Sequence, residues 1–347
     1  MEDLNTQVLR TAVNWSRETV PVALVTVART WGSSPRPPGS LMAINGRGET
    51  VGSVSGGCIE DDLIERVRQG GLAAISEEAR PTVVRYGISA DQAHRFGLPC
   101  GGTIELVLEP VQANSRLEEL LQRCQMRQCT ERILDLSSGQ VVLREGHSDG
   151  VPELTEKQFT TFLGPVARLI LIGAGDLSRF MTEIALGLGF EVLVCDPREG
   201  QLEGWVGQAV TLSHEMPDDL ILRVQPDART AVVALTHDPK LDDLALMDAL
   251  RSKAFYVGAI GSRQNSRMRR DRLNQHFGLS HRELDRLRSP AGIFIGCKTP
   301  AEIALSIMAE LVAVKNGIEQ GRSNSVAIGK SRYPTRQVAQ TAASCGI

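Results

Sequence analysis

A cysteine follows two glycines and precedes an acidic stretch in the segment GSVSGGCIEDDLIERV, residues 52–67. Apolar residues after Cys58 recur at helical spacing, so the sequence predicts that Gly56, Gly57 and Cys58 lie where a strand turns into a helix. A helix N-terminus stabilises a thiolate, which is a soft metal ligand, although the acidic residues that follow oppose this effect. Cys58 is therefore a candidate for a soft contact to a metal or to its sulfur ligands.

A second cysteine lies beside paired glycines in the reverse order. In LPCGGTIELVLEP, Cys100 precedes Gly101 and Gly102, and a β-rich run follows. Glycines allow a ligand to approach the backbone closely, so this corner is also a candidate contact. Free cysteines commonly pack as small buried residues, and that alternative stays open for both thiols.

The segment LILIGAGDLSRF carries most of a dinucleotide-binding fingerprint. Gly173 and Gly175 take the first two positions of G-x-G-x-x-G, and Ser178 takes the third, which needs a small residue for helix packing. Asp196 ends the next apolar run, where such sheets place the acid that binds a ribose hydroxyl about 20 residues after the glycines. The pattern predicts phosphate and ribose binding, and glycines that only permit a tight turn are the alternative.

Polar groups follow two later apolar runs. His237 follows TAVVAL, and Gly261, Ser262 and Arg263 follow AFYVGAI. Ligands of open α/β sheets bind outside the carboxyl ends of the strands, so we expect these groups near the glycine turn. A lone histidine is often structural, and that reading of His237 stays open. Thr299 is predicted to cap a helix in a capping box, with proline at the first helical position.

Two kinds of sequence pattern predict the helices and strands that position these groups, and the expected fold class is α/β. Residues 1–150 contain a helix, an Asn-Gly hairpin and further β-rich runs, which indicates a small α/β domain. Residues 151–165 are polar and predict a linker. Residues 166–317 contain apolar runs without alternation, ending with GIFIG, which predicts a Rossmann-like, doubly wound parallel sheet. Residues 318–347 are expected to form a C-terminal tail.

Composition excludes some classes of function. The chain has 347 residues and a formal net charge of −3, so it lacks the basic excess of proteins that bind nucleic acid or an anionic membrane surface. Neither a signal peptide nor a membrane-spanning run is evident, and a cytoplasmic location is expected. The seven cysteines show no paired C-x-x-C spacing and are expected to be thiols.

Eight segments together resemble the XdhC/CoxI family of molybdenum cofactor maturation and insertion proteins, which are xanthine dehydrogenase accessory proteins. They follow the family's order from about Val20 to Val314, and they are GSSPRPPGSLM, VGSVSGGCIE, CGGTIELVLEP, GAGDLSRF, VCDPRE, LTHDPKLD, FYVGAIGSR and GCKTPAEIALSIMAELVAV. The serine-glycine-glycine-cysteine corner combined with a later Rossmann domain is specific to this family. Asp176 and Phe294 depart from its pattern, so no role is carried over to them.

The resemblance implies a chaperone without a reaction of its own. Such proteins bind molybdenum cofactor, as molybdopterin or its cytosine dinucleotide form, and protect it from oxidation. They work with a cysteine desulfurase that adds the terminal sulfido ligand, and they insert the cofactor into a xanthine dehydrogenase or aldehyde oxidase-type molybdenum hydroxylase. The implied cofactor contacts are Gly56, Gly57, Cys58, Cys100, Gly101, Gly102, Gly173, Gly175, Asp196, His237, Gly261, Ser262 and Arg263.

Two other classes of function remain open from the sequence. An NAD(P)-dependent oxidoreductase would use the same Rossmann turn with His237 as acid or base, but it would give the Cys58 corner no task. A non-catalytic assembly scaffold for the hydroxylase would need neither corner to bind a ligand. The sequence also leaves the assembly state open, a homodimer included.

Overall fold

The chain divides into two compact units, Glu2–Val166 and, with Met1, Ala167–Ile347. The structure is a computed structural model. It describes residues 4–32, 36–75, 80–87, 103–147, 150–205, 209–318 and Val326.

Two antiparallel sheets and three α-helices make up the described part of the first unit. The strand orders are β3-β2-β1-β5-β4 and β7-β6-β9-β8. The elements are α1 (Leu4–Arg17), β1 (Val22–Trp31), β2 (Leu41–Asn45), β3 (Thr50–Gly52), α2 (Cys58–Gly70), β4 (Thr82–Tyr86), β5 (Thr103–Pro110), α3 (Leu117–Gln125), β6 (Thr130–Asp135), β7 (Val141–Glu145), β8 (Glu153–Leu154) and β9 (Gln158–Leu163).

Strand β1 is covered on both faces, which explains its apolar run without alternation. Successive side chains of a strand point to opposite faces. Ala23, Val25 and Val27 therefore pack in one core with the apolar face of α2, while Val22 and Leu24 pack in another with α1. The apolar residues of α2 in the first core are Ile59, Leu63 and Val67.

Residues 151–165 are not a linker, contrary to the sequence prediction. They contain β8 and β9, and β9 pairs with β6 along its whole length, from Thr130 opposite Leu163 to Asp135 opposite Gln158. Leu154 and Phe159 are buried in the same core as Leu134. This sheet has few inward-facing apolar residues between polar ones, so its sequence pattern is weak and resembles a polar connector.

The second unit is a parallel sheet with the strand order β12-β11-β10-β13-β14-β15. All its ladders are parallel, and this order is that of a Rossmann fold, with a topological switch point between β10 and β13. The elements are β10 (Arg168–Ile172), α4 (Asp176–Gly187), β11 (Glu191–Cys195), β12 (Thr211–Ser213), α5 (Pro217–Val224), β13 (Thr230–Ala234), α6 (Pro239–Arg251), β14 (Tyr256–Ala259), α7 (Arg263–Gln275), α8 (His281–Asp285), β15 (Leu287–Arg288) and α9 (Pro300–Lys315).

Helices cover both faces of this sheet, as the absence of alternation predicted. One apolar core joins the sheet to α4 and α9, and the other joins it to α5, α6, α7 and α8. No helix among the residues that the structure describes has the length and apolar character needed to cross a bilayer.

The segment GIFIG, residues 292–296, is not a strand, although its apolar character predicted one. Gly292 donates its amide to Oε2 of Glu310 at 2.8 Å, and Ser306 Oγ donates to the carbonyl of Ile293 at 2.6 Å. Both partners lie on α9, so side chains of a helix satisfy backbone groups that a sheet would otherwise satisfy. The sixth strand is instead β15, which pairs with β14 at Leu287 and Arg288.

Candidate functional site

Gly173 follows the end of β10 and lies against Thr236, which follows the neighbouring strand β13, and only glycine fits there. Its φ is 107°, and a Cβ would lie 3.0 Å from Cγ2 of Thr236 and 3.2 Å from the Thr236 amide nitrogen. Ser178 donates a hydrogen bond from Oγ to the Gly173 carbonyl at 2.5 Å and is buried. The serine thus gives the Gly173 carbonyl a hydrogen-bond partner. It also keeps α4 close to the sheet, which is the packing role expected at this position of the fingerprint.

Gly175 has different surroundings. Its φ of −77° and ψ of −175° suit any residue, and a Cβ would meet no heavy atom within 4 Å. It is the N-cap residue of α4 and supplies no side chain to the first-turn amides, so these amides can meet an anion. Asp176 lies exposed in the same turn and opposes an anion there. The turn is open on the side where phosphates bind in Rossmann folds.

Asp196 ends β11 and is fully buried, with 0% of its surface exposed. Its Oδ2 accepts hydrogen bonds from the Ala174 amide at 2.9 Å and from Nη2 of Arg198 at 2.7 Å. Its Oδ1 accepts from the amide of Arg198 at 3.1 Å and from Nε at 2.8 Å. Burial raises the pKa of Asp196, but the bonds from Arg198 and Ala174 outweigh it and lower the pKa. The carboxylate therefore holds the glycine turn and an arginine in place.

A tryptophan supports the glycine turn from within the unit. Nε1 of Trp205 donates to the Ala174 carbonyl at 3.0 Å, and the ring is buried. The guanidinium of Arg179 lies over this ring, 5.0 Å from its centre, and donates to the Gly204 carbonyl at 2.8 Å. With Asp196 and Trp205, both the amide and the carbonyl of Ala174 are satisfied, so the turn is held in one conformation.

A cavity of about 450 Å³ opens at the same edge of the sheet. Residues that follow β13, β14 and β15 line it together with residues of α4 and α9, and most of its lining surface is apolar. His237 lines it with a left-handed φ of 63°, and Arg263 begins α7 outside the lining set. Cys297, which sequence reasoning did not single out, is a free thiol in this lining. The lining includes Leu177, His237, Gly261, Ser262, Cys297 and Ser306.

A buried arginine joins two loops around this cavity. Arg269 donates from Nη2 to Oδ2 of Asp242 at 3.0 Å and from Nη1 to the Ile260 carbonyl at 2.9 Å. Asp242 in turn accepts from the hydroxyl of Thr236 at 2.7 Å and from its amide at 3.2 Å. Burial raises the pKa of Asp242, although Thr236 and Arg269 stabilise its charged form. The loops after β13 and β14 are thereby positioned relative to each other.

The corner before α2 folds around Glu60. This side chain is 9% exposed, and its two carboxylate oxygens accept hydrogen bonds from four backbone amides and two hydroxyls. Burial raises the pKa of Glu60, but hydrogen bonds led by those from Ser55 outweigh it and lower the pKa to about 2. The donors are the amides of Val54, Ser55, Gly56 and Gly57 and the hydroxyls of Ser53 and Ser55.

The backbone of Cys58 begins α2 directly after this loop, as the sequence predicted. Its side chain, and Cys100, Gly101 and Gly102 as a whole, lie outside the described residues. Sequence reasoning counted Glu60 only as an acid that opposes a thiolate, whereas the structure makes it the centre of the loop. The signal for this role was present, because Glu60 is at the third helical position, where a glutamate reaches back to the N-cap amide.

The comparisons with known proteins agree with this two-unit arrangement. The family model "XdhC and CoxI family" matches residues 15–87. The model "XdhC Rossmann domain" matches residues 169–311, which contain the glycine turn and the cavity. The chain belongs to the XdhC/CoxI family. The corner at Gly56, Gly57 and Cys58 lies within the first matched range, and the turn at Gly173 and Gly175 lies within the second.

Relatives of this XdhC/CoxI chain match it over most of its length. A protein of Bacillus subtilis, named as a probable subunit of xanthine dehydrogenase, is 26% identical over 321 residues, which cover 85% of this chain and 93% of that protein. "Molybdenum cofactor insertion chaperone PaoD" of Escherichia coli is 26% identical over 319 residues, covering 91% and 90%. A crystal structure described as a xanthine dehydrogenase from Bacillus halodurans is 26% identical, with a TM-score of 0.71, and covers 95% of this chain and 99% of that one.

In this family member, the Rossmann unit brings several predicted site residues to one edge of its sheet. Gly173 and Gly175 form the turn, while His237, Gly261 and Ser262 line the adjacent cavity. Among the described residues, no group of three or more histidine, cysteine, aspartate or glutamate side chains is arranged to hold a metal ion. The ribose contact of Asp196 stays a prediction. Its carboxylate already accepts four hydrogen bonds from within the chain.

Proposed function

We propose that this protein binds molybdenum cofactor and inserts it into a xanthine dehydrogenase-type molybdoenzyme. The observation that carries the proposal is the open Gly175 turn at the same sheet edge as a largely apolar cavity. A relative that this chain matches almost end to end is named a molybdenum cofactor insertion chaperone, and another is named as part of a xanthine dehydrogenase. Both names support a role in delivery of the cofactor.

The residues at this edge suit the chemistry of the cofactor. Its phosphate fits the open first-turn amides of α4, and its pterin fits the apolar part of the cavity beside Leu177 and Ile303. Molybdenum and dithiolene sulfur are soft, and the Cys297 thiol in the lining is a soft group. Ser262 and His237 offer hydrogen bonds to the polar edge of a pterin.

The finer steps are also part of the proposal. The protein would act as a chaperone rather than as an enzyme, protecting the cofactor while a cysteine desulfurase adds the sulfido ligand. Cys58, with Gly56 and Gly57, would provide a soft contact to the molybdenum or its sulfur ligands, and the corner at Cys100 would provide a further contact. The name of the chaperone PaoD supports insertion, and these further steps rest on the family resemblance.

Replacing Gly175 with leucine is expected to weaken binding of the cofactor by about tenfold or more, because the side chain would cover the amides that meet the phosphate. The fold should persist, since the φ of −77° suits leucine and the space around a Cβ is open. Equilibrium binding of freshly released cofactor under anaerobic conditions measures the effect.

Gly187→Leu is the matched control for this experiment. Gly187 ends the same helix, is exposed, and would also place a Cβ in open space. Its variant should bind the cofactor like the wild type. Equal affinity in a folded Gly175→Leu variant would mean that the turn is only structural.

Bound cofactor is expected to slow the alkylation of Cys297, because the thiol lines the proposed pterin cavity. Peptide mass spectrometry after brief treatment with iodoacetamide would report each cysteine separately. Cys129, a half-buried cysteine of the first unit that forms no disulfide, serves as an internal reference that should react at the same rate with and without cofactor. Protection of Cys58 in the same experiment would support its proposed contact. Unchanged labelling of Cys297 would place the pterin elsewhere.

A second candidate function is an NAD(P)-dependent oxidoreductase. The strand order of the second unit favours it, because this order and the glycine turn are also those of nicotinamide-binding domains. Binding of NAD or NADP in place of any cofactor form would select this function.

A further inference from the structure

The acceptor capacity of Asp196 is used up within the chain. A carboxylate has about four lone-pair sites. Asp196 receives four hydrogen bonds, of 2.7 to 3.1 Å, two on each oxygen, and none of its surface is exposed. A ribose diol needs an accessible acceptor with a free lone pair at this position. The acid at the end of β11 thus lacks both properties that ribose recognition requires.

Arg198 takes the exposed position instead. Its Nε and Nη2 are held by Asp196, while Nη1 makes no hydrogen bond to any described residue, and 43% of the side chain is exposed. Pairing with Asp196 raises the pKa of Arg198, so the guanidinium is charged. Asp196 therefore holds the Arg198 guanidinium in a fixed position beside the glycine turn. The same carboxylate also binds the Ala174 amide of that turn.

We infer that Arg198 makes this site selective for a ligand whose phosphate, bound at the glycine turn before α4, is a terminal monoester. A guanidinium binds phosphate through charge-assisted hydrogen bonds, whereas it offers a ribose hydroxyl only an ordinary donor. This inference rests on the proposed function and makes it more specific. Molybdopterin ends in a phosphate monoester, and its cytosine dinucleotide form continues into a ribose, so the site prefers molybdopterin.

Besides the exposed Asp176 in the first turn of α4, two nearby carboxylates act against an anion at this position. Asp238 and Asp242 interact electrostatically with Arg198 and raise its pKa. Each is bound elsewhere, because Asp238 accepts from the Lys240 amide at 2.9 Å and Asp242 is paired with Arg269 at 3.0 Å. Direct hydrogen bonds between guanidinium and phosphate outweigh charges held at longer range by their own partners.

The same chemistry could be supplied by another ligand. The 2′-phosphate of NADP is also a phosphate monoester, and an arginine near this strand end accommodates it in Rossmann enzymes. The experiment therefore has one arm with the two forms of the molybdenum cofactor and another with NAD and NADP.

Anaerobic equilibrium binding with the full-length protein tests the inference. We expect the wild type to bind molybdopterin more tightly than the cytosine dinucleotide form. Arg198→Gln should lower the affinity for molybdopterin by about tenfold to a hundredfold, the range for a lost hydrogen bond to a charged group, and should change the dinucleotide form less. Arg198→Lys keeps a cationic partner for Asp196 but loses the planar fork, so an intermediate loss is expected.

Arg168→Gln is the matched control. Arg168 pairs with Glu191 through Nε and Nη2 at 3.1 and 3.3 Å, but at the opposite end of β10 and β11. It should leave both affinities unchanged. Equal losses for the two cofactor forms in Arg198→Gln and Arg198→Lys, or tighter binding of the dinucleotide form by the wild type, would overturn the selectivity.

The proposed function fails on a different result. If the wild type binds neither cofactor form but binds NADP more tightly than NAD, with a loss in Arg198→Gln, the phosphate selectivity stands and the cofactor role is wrong. If it binds none of the four ligands, both ideas are wrong.

Discussion

Replacing Glu60 with glutamine should lower the free energy of unfolding of the first unit by about 3 kcal/mol, because buried donors would lose a charged acceptor. The carboxylate is 9% exposed and accepts six hydrogen bonds from the loop before α2. An amide keeps one acceptor oxygen and turns the other group into a donor, which faces donors such as the Gly57 amide. Hydrogen exchange of residues 53–70 in the full chain would measure the loss.

The same site predicts a pH dependence. The pKa of Glu60 is lowered from 4.5 to about 2, so its stabilisation is complete above pH 4.5 and is lost as the pH falls towards 2. The difference in stability between the wild type and Glu60→Gln should therefore shrink below pH 4.5.

Asp61→Asn is the control for Glu60→Gln. Asp61 is an exposed acid in the same first turn of α2, so only its interaction with the helix dipole is lost, at a cost of about 0.5 kcal/mol. If Glu60→Gln cost no more than Asp61→Asn, the loop would not depend on its central carboxylate.

Arg269→Met should destabilise the second unit by about 3–5 kcal/mol, because it leaves the buried Asp242 without its cation and leaves Asp243 with Arg272 alone. Arg269 is 5% exposed, and its partners Asp242 and Asp243 are 0% and 3% exposed. The loss should reach the cavity, since the same side chain holds the Ile260 carbonyl and, through Asp242, the hydroxyl of Thr236. Differential scanning calorimetry of the full chain, with cofactor binding as a second readout, would measure both effects.

Arg267→Met provides the comparison. Arg267 is exposed on the same helix, α7, so its replacement should change stability by less than about 0.5 kcal/mol. A loss below about 1 kcal/mol in Arg269→Met would show that the two loops around the cavity are held by other contacts.

Local patterns in the sequence were sufficient for the four central strands of the Rossmann sheet, β10, β11, β13 and β14. Apolar runs without alternation predicted strands buried on both faces, and Gly173 and Ser178 predicted the tight turn before α4. The capping box at Thr299 was also visible, and its hydroxyl accepts from the Glu302 amide at 3.3 Å. These features depend on residues a few positions apart, whose geometry is set by the helix or turn itself.

Only the tertiary structure decided what the polar side chains bind. A carboxylate at the end of β11 looks the same in sequence whether it faces a ribose or, like Asp196, is saturated by Ala174 and Arg198. Likewise, Arg269 donates a hydrogen bond to Asp242, which is 27 positions earlier in the chain. Cys297 reaches the cavity because GIFIG is held by α9 instead of forming a strand. Hydrogen-bond capacity is limited, and which partners use it depends on packing between distant segments, which residue types alone do not specify.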